Sequence, residues 1–287
     1  MITVDAMKKS AATDQIPLAW VGMEKITLPI QWDNEGVKTT ASCEFDVFVD
    51  LVSPSKGIHM SRLYELLAEY VSSEMVSMAG VRQLLSRLVQ SQNGLSRTAQ
   101  VVMSFSMPIR MSTLKSERTY FKMIPLRLKF FLDKTELNFH LEYSSTCPQS
   151  AALAHQLTIQ ELEAQNQPHG PALLQWYAQR GMIATPHAQR SELELNVVVD
   201  EPFELNQFAD LFIQLGQCLG TPTQGLVKRQ DEQEFARLNA LNLMFCEDAA
   251  RKLTLFLKRS SLLKSGWGKV RHLESLHSHN AVACFQF

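Results

Sequence analysis

Several common signatures are missing from this chain of 287 residues, and each absence excludes a class of protein. The chain has no GxxxxGK[ST] or GxGxxG loop and no GxSxG or HExxH motif, which disfavours those nucleotide-binding and hydrolase classes. No apolar run approaches the ~20 residues that a membrane-spanning helix needs. With 28 basic and 29 acidic residues, the formal net charge is −1, so no overall field favours nucleic acid or an anionic membrane.

Cysteine is scarce and unpaired. No CxxC occurs, and the five cysteines are spread over the chain at positions Cys43, Cys147, Cys218, Cys246 and Cys284. This usage is typical of a reducing compartment, with thiols free or bound to metal. The polar residues 1–15 have no apolar core of a signal peptide. We therefore predict a cytoplasmic protein.

Hydrophobic periodicity predicts most of the secondary structure. Period-two alternation over residues 41–51, 137–143 and 193–199 predicts half-buried strands, and Cys43 falls on an apolar face. Ser61 is a candidate N-cap for a first helix. Further predicted helices span 151–164, 171–178 and a long region 233–263 in two pieces, followed by strands at 270–276 and 280–287.

The two halves of the chain share one order of elements: strand, strand, helix, helix, strand, strand. We therefore predict an α+β protein of two tandem ββααββ modules, with antiparallel sheets and helices packed on one face. The predicted divisions are a leader at 1–20, a first module at 21–134 and a second at 135–287 with a helical insertion at 150–186. Because open sheet edges invite pairing, such modules favour a homo-oligomer with sites where modules meet.

Two segments stand out at element ends. Cys147 closes a strand, precedes Pro148 and opens a helix, where the helix dipole favours a thiolate. The alternative is a small buried hydrophobic residue. Lys56, His59 and Arg62 cluster at a helix start and suit a phosphate group, although a solvated basic loop explains the same spacing.

Further candidates are scattered through the second half. Cys147, His187, Glu232 and His277 combine thiolate, imidazole and carboxylate groups, which suit Zn²⁺, Fe²⁺ or Mn²⁺ at a catalytic site. Their wide spacing leaves simpler readings open: two loop histidines and a solvated carboxylate at a helix start. Glu247 follows Cys246 at another helix start, where a carboxylate complements the dipole.

Five segments then carry a resemblance to a known family. They occur in this order: KGIHMSR at 56–62, STCP at 145–148, HAQRS at 187–191, KRQDE at 228–232 and ESLHSH at 274–279. Together they resemble the prokaryotic GTP cyclohydrolase of type IB, a tunnelling-fold family, from about residue 21 to the end. The resemblance implies two tandem tunnelling-fold modules per subunit and a homotetramer with sites at subunit interfaces.

The resemblance also implies an activity. The family hydrolyses GTP at C8 to 7,8-dihydroneopterin triphosphate and formate, the first step of tetrahydrofolate and pterin biosynthesis. Cys147, His187 and Glu232 match metal positions, and His277 is a fourth ligand or a proton shuttle. The implied cofactor is Zn, Mn or Fe. Glu247 matches the carboxylate that anchors the guanine edge, and the triphosphate candidates are Lys56, His59, Arg62 and Arg190. Cys147, Glu247 and His277 are the implied catalytic residues.

One position departs from the family pattern. Many members carry Cys-Pro-Cys-Ser, whereas this chain has Gln149 in place of the second Cys. A related family, the nitrile reductase of queuosine synthesis, keeps its nucleophilic Cys directly before Pro, which favours Cys147 as the functional thiol. That reductase is the alternative enzyme, although its NADPH-binding motif is absent. A purine-binding scaffold without catalysis is the alternative of another class.

Overall fold

The computed structural model describes residues 16–34, 37–52, 55–73, 75–165, 169–200 and 202–287. Within this part of the chain, eight strands form one antiparallel sheet in the order of the sequence. The strands are β1 (Leu18–Asn34), β2 (Val37–Leu51), β3 (Ala99–Ser112), β4 (Thr119–Phe130), β5 (Thr135–Thr146), β6 (Ala188–Val199), β7 (Leu263–His272) and β8 (Ala281–Gln286). The predicted leader at 1–20 lies mostly outside the described residues.

The helices of the described residues are inserted between these strands. They are α1 (Met60–Ser73), α2 (Met78–Ser91), α3 (Pro148–Ala164), α4 (Pro171–Arg180), α5 (Leu205–Leu219), α6 (Arg229–Leu241) and α7 (Cys246–Leu257). No helix in this part of the chain is long and apolar enough to cross a membrane.

The element order agrees with two tandem ββααββ modules. The first is β1-β2-α1-α2-β3-β4, and the second inserts α3 and α4 between β5 and β6 and carries three helices before β7. The sheet continues across the predicted boundary, since Leu126 of β4 pairs with Phe139 of β5. The division into 21–134 and 135–287 remains a prediction, because one continuous sheet joins the two halves.

The core lies between one sheet face and the helices. On β2, Cys43, Phe45 and Val47 are completely buried, while Ser42 and Glu44 on the other face are exposed, as the alternation predicts. The helices α1, α2, α5 and α7 present buried leucine and phenylalanine side chains to this core. Cys43 is thus a core residue, and burial raises the pKa of its thiol to about 12.

Some predicted boundaries were wrong. The first helix begins at Met60, so Ser61 lies inside it rather than capping it. The predicted helical region 233–263 instead begins at Arg229, ends at Leu257 and gives way to β7 at Leu263. Glycines obscured the start of β7: a Cβ on Gly266 would lie 2.6 Å from the carbonyl oxygen of Asn196, so close strand packing requires glycine there.

The aromatic cluster under β5 provides a test of the fold. Phe139 is completely buried, and its ring lies 4.9 Å from that of Phe208 in an edge-to-face arrangement. Phe139→Ala is expected to lower the free energy of unfolding by about 3–5 kcal/mol in urea titrations, because it leaves a cavity. The matched control is Phe121→Ala on β4, where the ring is 67% exposed. A similar loss in both variants would contradict this packing.

Candidate functional site

The carboxyl end of β5 is fixed from both sides. On one side β6 pairs with it as far as Thr146 and Ala188. On the other side β4 pairing stops at Phe139, and the segments that flank α6 take over. The Ser144 N–H donates to the Thr221 carbonyl (2.8 Å), and the Met244 N–H donates to that of Thr146 (3.2 Å). The strand end therefore has a defined backbone position despite lying beyond β4.

Cys147 sits directly at this strand end. It is the N-cap residue of α3, with Pro148 in the first turn, and the side chain is half-buried. Its backbone N–H donates to the His187 carbonyl (3.2 Å), while the His187 N–H donates to Ser150 Oγ (3.1 Å). Backbone and hydroxyl hydrogen bonds thus tie two predicted site residues together at the N-terminus of α3. Gln149, the position of the family's second Cys, is exposed.

The ring of His187 is held through Nδ1. This atom lies 3.0 Å from Gln189 Oε1 and 3.7 Å from Glu274 Oε2. The Glu274 oxygen is buried and has no hydrogen-bond partner among the described residues. A ligating histidine commonly donates one ring nitrogen to an oxygen in this way, which leaves the other nitrogen for a metal. The donor set of Cys147 and His187 therefore fits a soft divalent cation.

Glu232 lies in the first turn of α6, and its side chain is exposed. The helix start is anchored by its buried neighbour Asp231, which accepts hydrogen bonds from the N–H groups of Lys115 (2.7 Å), Ser116 (2.9 Å) and Lys228 (2.8 Å). Although burial opposes ionisation, the hydrogen bonds from Ser116 and these backbone groups hold the pKa of Asp231 well below its usual range. This carboxylate joins the second module to the β3–β4 hairpin of the first.

The four predicted metal ligands do not converge within one chain. Among the described residues, no three His, Cys, Asp or Glu side chains are close enough to hold a metal ion. His277 is exposed in the β7–β8 connection, where its ring stacks on that of His279 at 5.0 Å. The structure thus brings Cys147 and His187 together through the backbone, and among the described residues neither Glu232 nor His277 completes a group of three ligands with them.

Glu247 occupies the first turn of α7 and is exposed. Its own backbone N–H and the Cys246 thiol (Sγ to Oε2, 3.3 Å) lower the pKa of its carboxyl group. The carboxylate borders a cavity of about 470 Å³ whose apolar walls include Leu255, Ala283 and Phe285. A fixed negative charge beside an apolar wall suits a flat heteroaromatic ring with N–H donors.

The predicted triphosphate residues fall into two groups. His59 and Arg62 contact the end of α2, through Gln92 Oε1 (2.8 Å from the His59 N–H) and the Ser91 carbonyl, and Lys56 is exposed just before them. Both of these hydrogen bonds run to the end of α2, and neither runs to the end of β5. Arg190, exposed on β6, lies 3.5 Å from Glu142 Oε1.

A second cation, Lys122, lies beside Arg190 and was not predicted from the sequence. Lys122 Nζ lies 4.0 Å from Glu142 and 2.9 Å from Thr223 Oγ1. Burial lowers the pKa of Lys122, Glu142 opposes that shift and Arg190 adds to it. Its place on β4, far away in sequence, gave no local signal.

The sequence is similar to a known family along nearly its whole length. The family model for type I GTP cyclohydrolase folE2 matches residues 4–283. The chain belongs to this family. The GTP cyclohydrolase FolE2 of Pseudoalteromonas atlantica is 41% identical over 293 residues, spanning 99% of this chain and 95% of that protein. The GTP cyclohydrolase FolE2 of Hydrogenovibrio crunogenus is 42% identical over 277 residues, spanning 93% and 88%.

One solved structure is similar in fold to this GTP cyclohydrolase family member. A hyper-thermostable AgUricase mutant matches with a TM-score of 0.50 and 6% identity, covering 97% of this chain and 94% of that chain. The likeness shows the fold alone, which is the tunnelling fold.

This family member also has a buried polar network that the sequence analysis missed. Tyr143 and Ser145 on β5 and Gln189 and Ser191 on β6 all lie inside. The sequence contains a signal for this network, because the four positions continue the period-two alternation of the buried strand faces. Polar residues on a core-facing register indicate a buried hydrogen-bond network. His272 at the end of β7 completes it.

The buried His272 predicts a pH-dependent stability in this family member. Burial lowers the pKa of His272 to about 4, although the charge of Glu247 opposes the shift. An unfolded histidine titrates near 6.5, so between about pH 6.5 and 4 the unfolded chain binds a proton that the folded chain does not. Stability therefore falls as the pH drops through this window. Urea titrations are expected to show a loss of about 2 kcal/mol per chain from this group between pH 7 and 5.

His272→Gln is expected to remove that part of the pH dependence. His155→Gln, on the exposed side of α3, is the control and should retain it. Equal slopes of stability against pH in His272→Gln and the unmodified protein would show that His272 is not buried in its neutral form.

Proposed function

We propose that this protein hydrolyses GTP to 7,8-dihydroneopterin triphosphate and formate, the first step of tetrahydrofolate and pterin biosynthesis. The observation that carries the proposal is its family membership, with relatives named as GTP cyclohydrolases over nearly the whole chain. Those names also favour this activity over the nitrile reductase and over a purine-binding scaffold.

Glu247 is the proposed guanine anchor. Its lowered pKa keeps the carboxylate ionised at neutral pH, so both oxygens accept hydrogen bonds. Guanine presents two neighbouring N–H donors, at N1 and at the 2-amino group, which a carboxylate accepts together. The adjoining apolar wall with Phe285 would cover the face of the base. Charge and shape together therefore favour guanine at this position.

Cys147 and His187 are the proposed core of a metal site. They would hold a divalent cation, which would supply Lewis acidity for the water that attacks C8. Glu232 and His277 remain the proposed further ligands, with His277 alternatively moving a proton to the leaving group. Because neither completes a group of three ligands with Cys147 and His187 among the described residues of one chain, the proposed homotetramer would bring ligands from a second copy. The proposed metal is Zn, Mn or Fe.

The triphosphate is proposed to bind to cations at two places. Arg190 lies on β6 directly after Gln189, and Lys122 lies beside it against the same Glu142 side chain. Lys56, His59 and Arg62 lie at the start of α1 in the other module. A site between subunits would let both groups reach one substrate, which agrees with the proposed homotetramer. A cytoplasmic location fits the five free cysteines.

The activity has a direct test. Purified protein is depleted of metal, reconstituted in turn with Zn²⁺, Mn²⁺ and Fe²⁺, and incubated with GTP. The proposal expects a product that becomes a fluorescent neopterin after oxidation, in at least one of the three, and none in the metal-depleted protein. Absence of pterin with all three metals would contradict the proposed function.

A further inference from the structure

A chain of hydrogen bonds leads from His187 into the core. His187 Nδ1 lies 3.0 Å from Gln189 Oε1, and Gln189 Nε2 donates to Ser145 Oγ at 3.0 Å. Ser145 Oγ lies 3.3 Å from His272 Nδ1, and His272 Nε2 lies 2.9 Å from Tyr143 Oη. Each of the four residues beyond His187 is at most 7% exposed. The chain connects β5, β6 and β7 at one end of the sheet.

The amide of Gln189 sets the direction of these bonds. Because its nitrogen donates to Ser145, its oxygen faces His187 Nδ1, and an amide oxygen can only accept. The Nδ1 atom therefore carries the proton. The carboxylate oxygen of Glu274, 3.7 Å from the same Nδ1, favours a proton at that nitrogen as well. A neutral imidazole protonated at Nδ1 has its lone pair on Nε2.

The inner part of the chain locks the amide in place. Ser145, whose hydroxyl oxygen accepts from the Gln189 amide, is completely buried. Burial raises the pKa of Tyr143 and lowers that of His272 to about 4, so both are neutral at pH 7. A flipped Gln189 amide would turn its NH₂ group toward His187 and would require a bare Nδ1 as the acceptor. The lone pair of that Nδ1 would then face the negative charge of Glu274, 3.7 Å away. Buried groups of this kind rarely tolerate a lost partner.

We propose that Gln189 and Ser145 are positioning residues, which hold His187 in one tautomer with Nδ1 protonated and Nε2 free as the ligating or basic atom. The inference rests on the proposed function for the role of His187, and it goes beyond it in naming the groups that prepare this histidine before any ligand binds. The expected consequence is a His187 tautomer that is already single in metal-free protein.

The tautomer is measured directly. Full-length protein carrying ¹⁵N-labelled histidine is freed of metal, and long-range ¹H–¹⁵N correlation spectra are recorded at pH 8. The His187 signals are identified by their absence in His187→Gln. The proposal expects Nδ1 as the protonated nitrogen and Nε2 as the bare one. A proton on Nε2, or a mixture of both tautomers, would overturn it, and this result needs no variant of the network to fold.

Three variants separate positioning from stability. Gln189→Leu removes the acceptor and is expected to mix the tautomers and weaken Co²⁺ binding by about 10–100-fold, the range seen for outer-sphere partners of metal ligands. Gln189→Glu keeps an oxygen acceptor and should restore most of that affinity. Ser191→Ala loses a hydroxyl from the same buried network but leaves Gln189 paired, so Co²⁺ affinity and tautomer should stay unchanged. Equal weakening in Gln189→Leu and Ser191→Ala would reduce Gln189 to a structural role and overturn the proposal.

These readouts are independent of turnover. A protein with the expected tautomer and Co²⁺ pattern that forms no pterin from GTP would support the positioning role and remove the proposed function. A protein that forms pterin while His187 is protonated at Nε2 would overturn the positioning role alone.

Discussion

Cys147→Ala is expected to abolish conversion of GTP to dihydroneopterin triphosphate. Loss of an outer-sphere partner of a metal ligand costs roughly 10–100-fold in affinity or activity, and loss of a ligand itself should exceed that. Cys147 is the N-cap residue of α3 and lies beside His187, so the substitution removes the sulfur ligand from the centre of the proposed site. Turnover by fluorescence and bound metal by elemental analysis should therefore fall together.

Cys218→Ala provides the matched control for this substitution. Cys218 is also half-buried and free but lies on α5. It should retain both activity and metal content. Full turnover in Cys147→Ala would remove Cys147 from the mechanism, because the segment 147–150 has Gln149 where many family members carry a second cysteine that could replace it.

Glu247→Ala is expected to raise the KM for GTP by about 100-fold, since hydrogen bonds to a charged group contribute about 1.5–3 kcal/mol each. Glu247→Gln keeps the size of the side chain but replaces one acceptor by a donor that faces the guanine N–H groups. It should therefore be at least as defective as Glu247→Ala. Steady-state kinetics and equilibrium binding of a non-hydrolysed GTP analogue measure the effect.

Glu163→Ala, an exposed carboxylate near the end of α3, is the control for loss of charge and should bind GTP normally. If Glu247→Ala binds the nucleotide with unchanged affinity, the anchoring role is wrong. A fall in kcat without any change in affinity would likewise move Glu247 from recognition to catalysis.

Much of the fold could be predicted because the spacing of apolar residues indicates which faces of the strands and helices are buried. The alternation of Phe45 and Val47, and of Leu137 and Phe139, identified β2 and β5 correctly. The start of β7 could not be predicted in the same way, because Gly266 and Gly268 contribute no side chain to a face. Their role lies in close approach of neighbouring strands, which depends on residues distant in sequence.

The site could be predicted in part. Position at a strand end and a helix start pointed to Cys147. Residue chemistry, and then the family resemblance, pointed to His187, which the structure places beside it. The same reasoning could not reveal that Asp231 fixes the start of α6 through the β3–β4 hairpin, since those partners are more than a hundred residues apart. Nor could it locate Glu232 and His277 relative to Cys147, because that depends on packing between elements and on the proposed assembly.

The most direct test of the account is the fate of the C8 atom of guanine. Metal-reconstituted protein is incubated with GTP labelled with ¹³C at C8, and the products are followed by ¹³C NMR and chromatography. We predict that all of the label leaves as formate, with one dihydroneopterin triphosphate formed for each GTP consumed. GTP that remains intact, or a product that retains the labelled carbon, would contradict the assignment of this protein as a GTP cyclohydrolase.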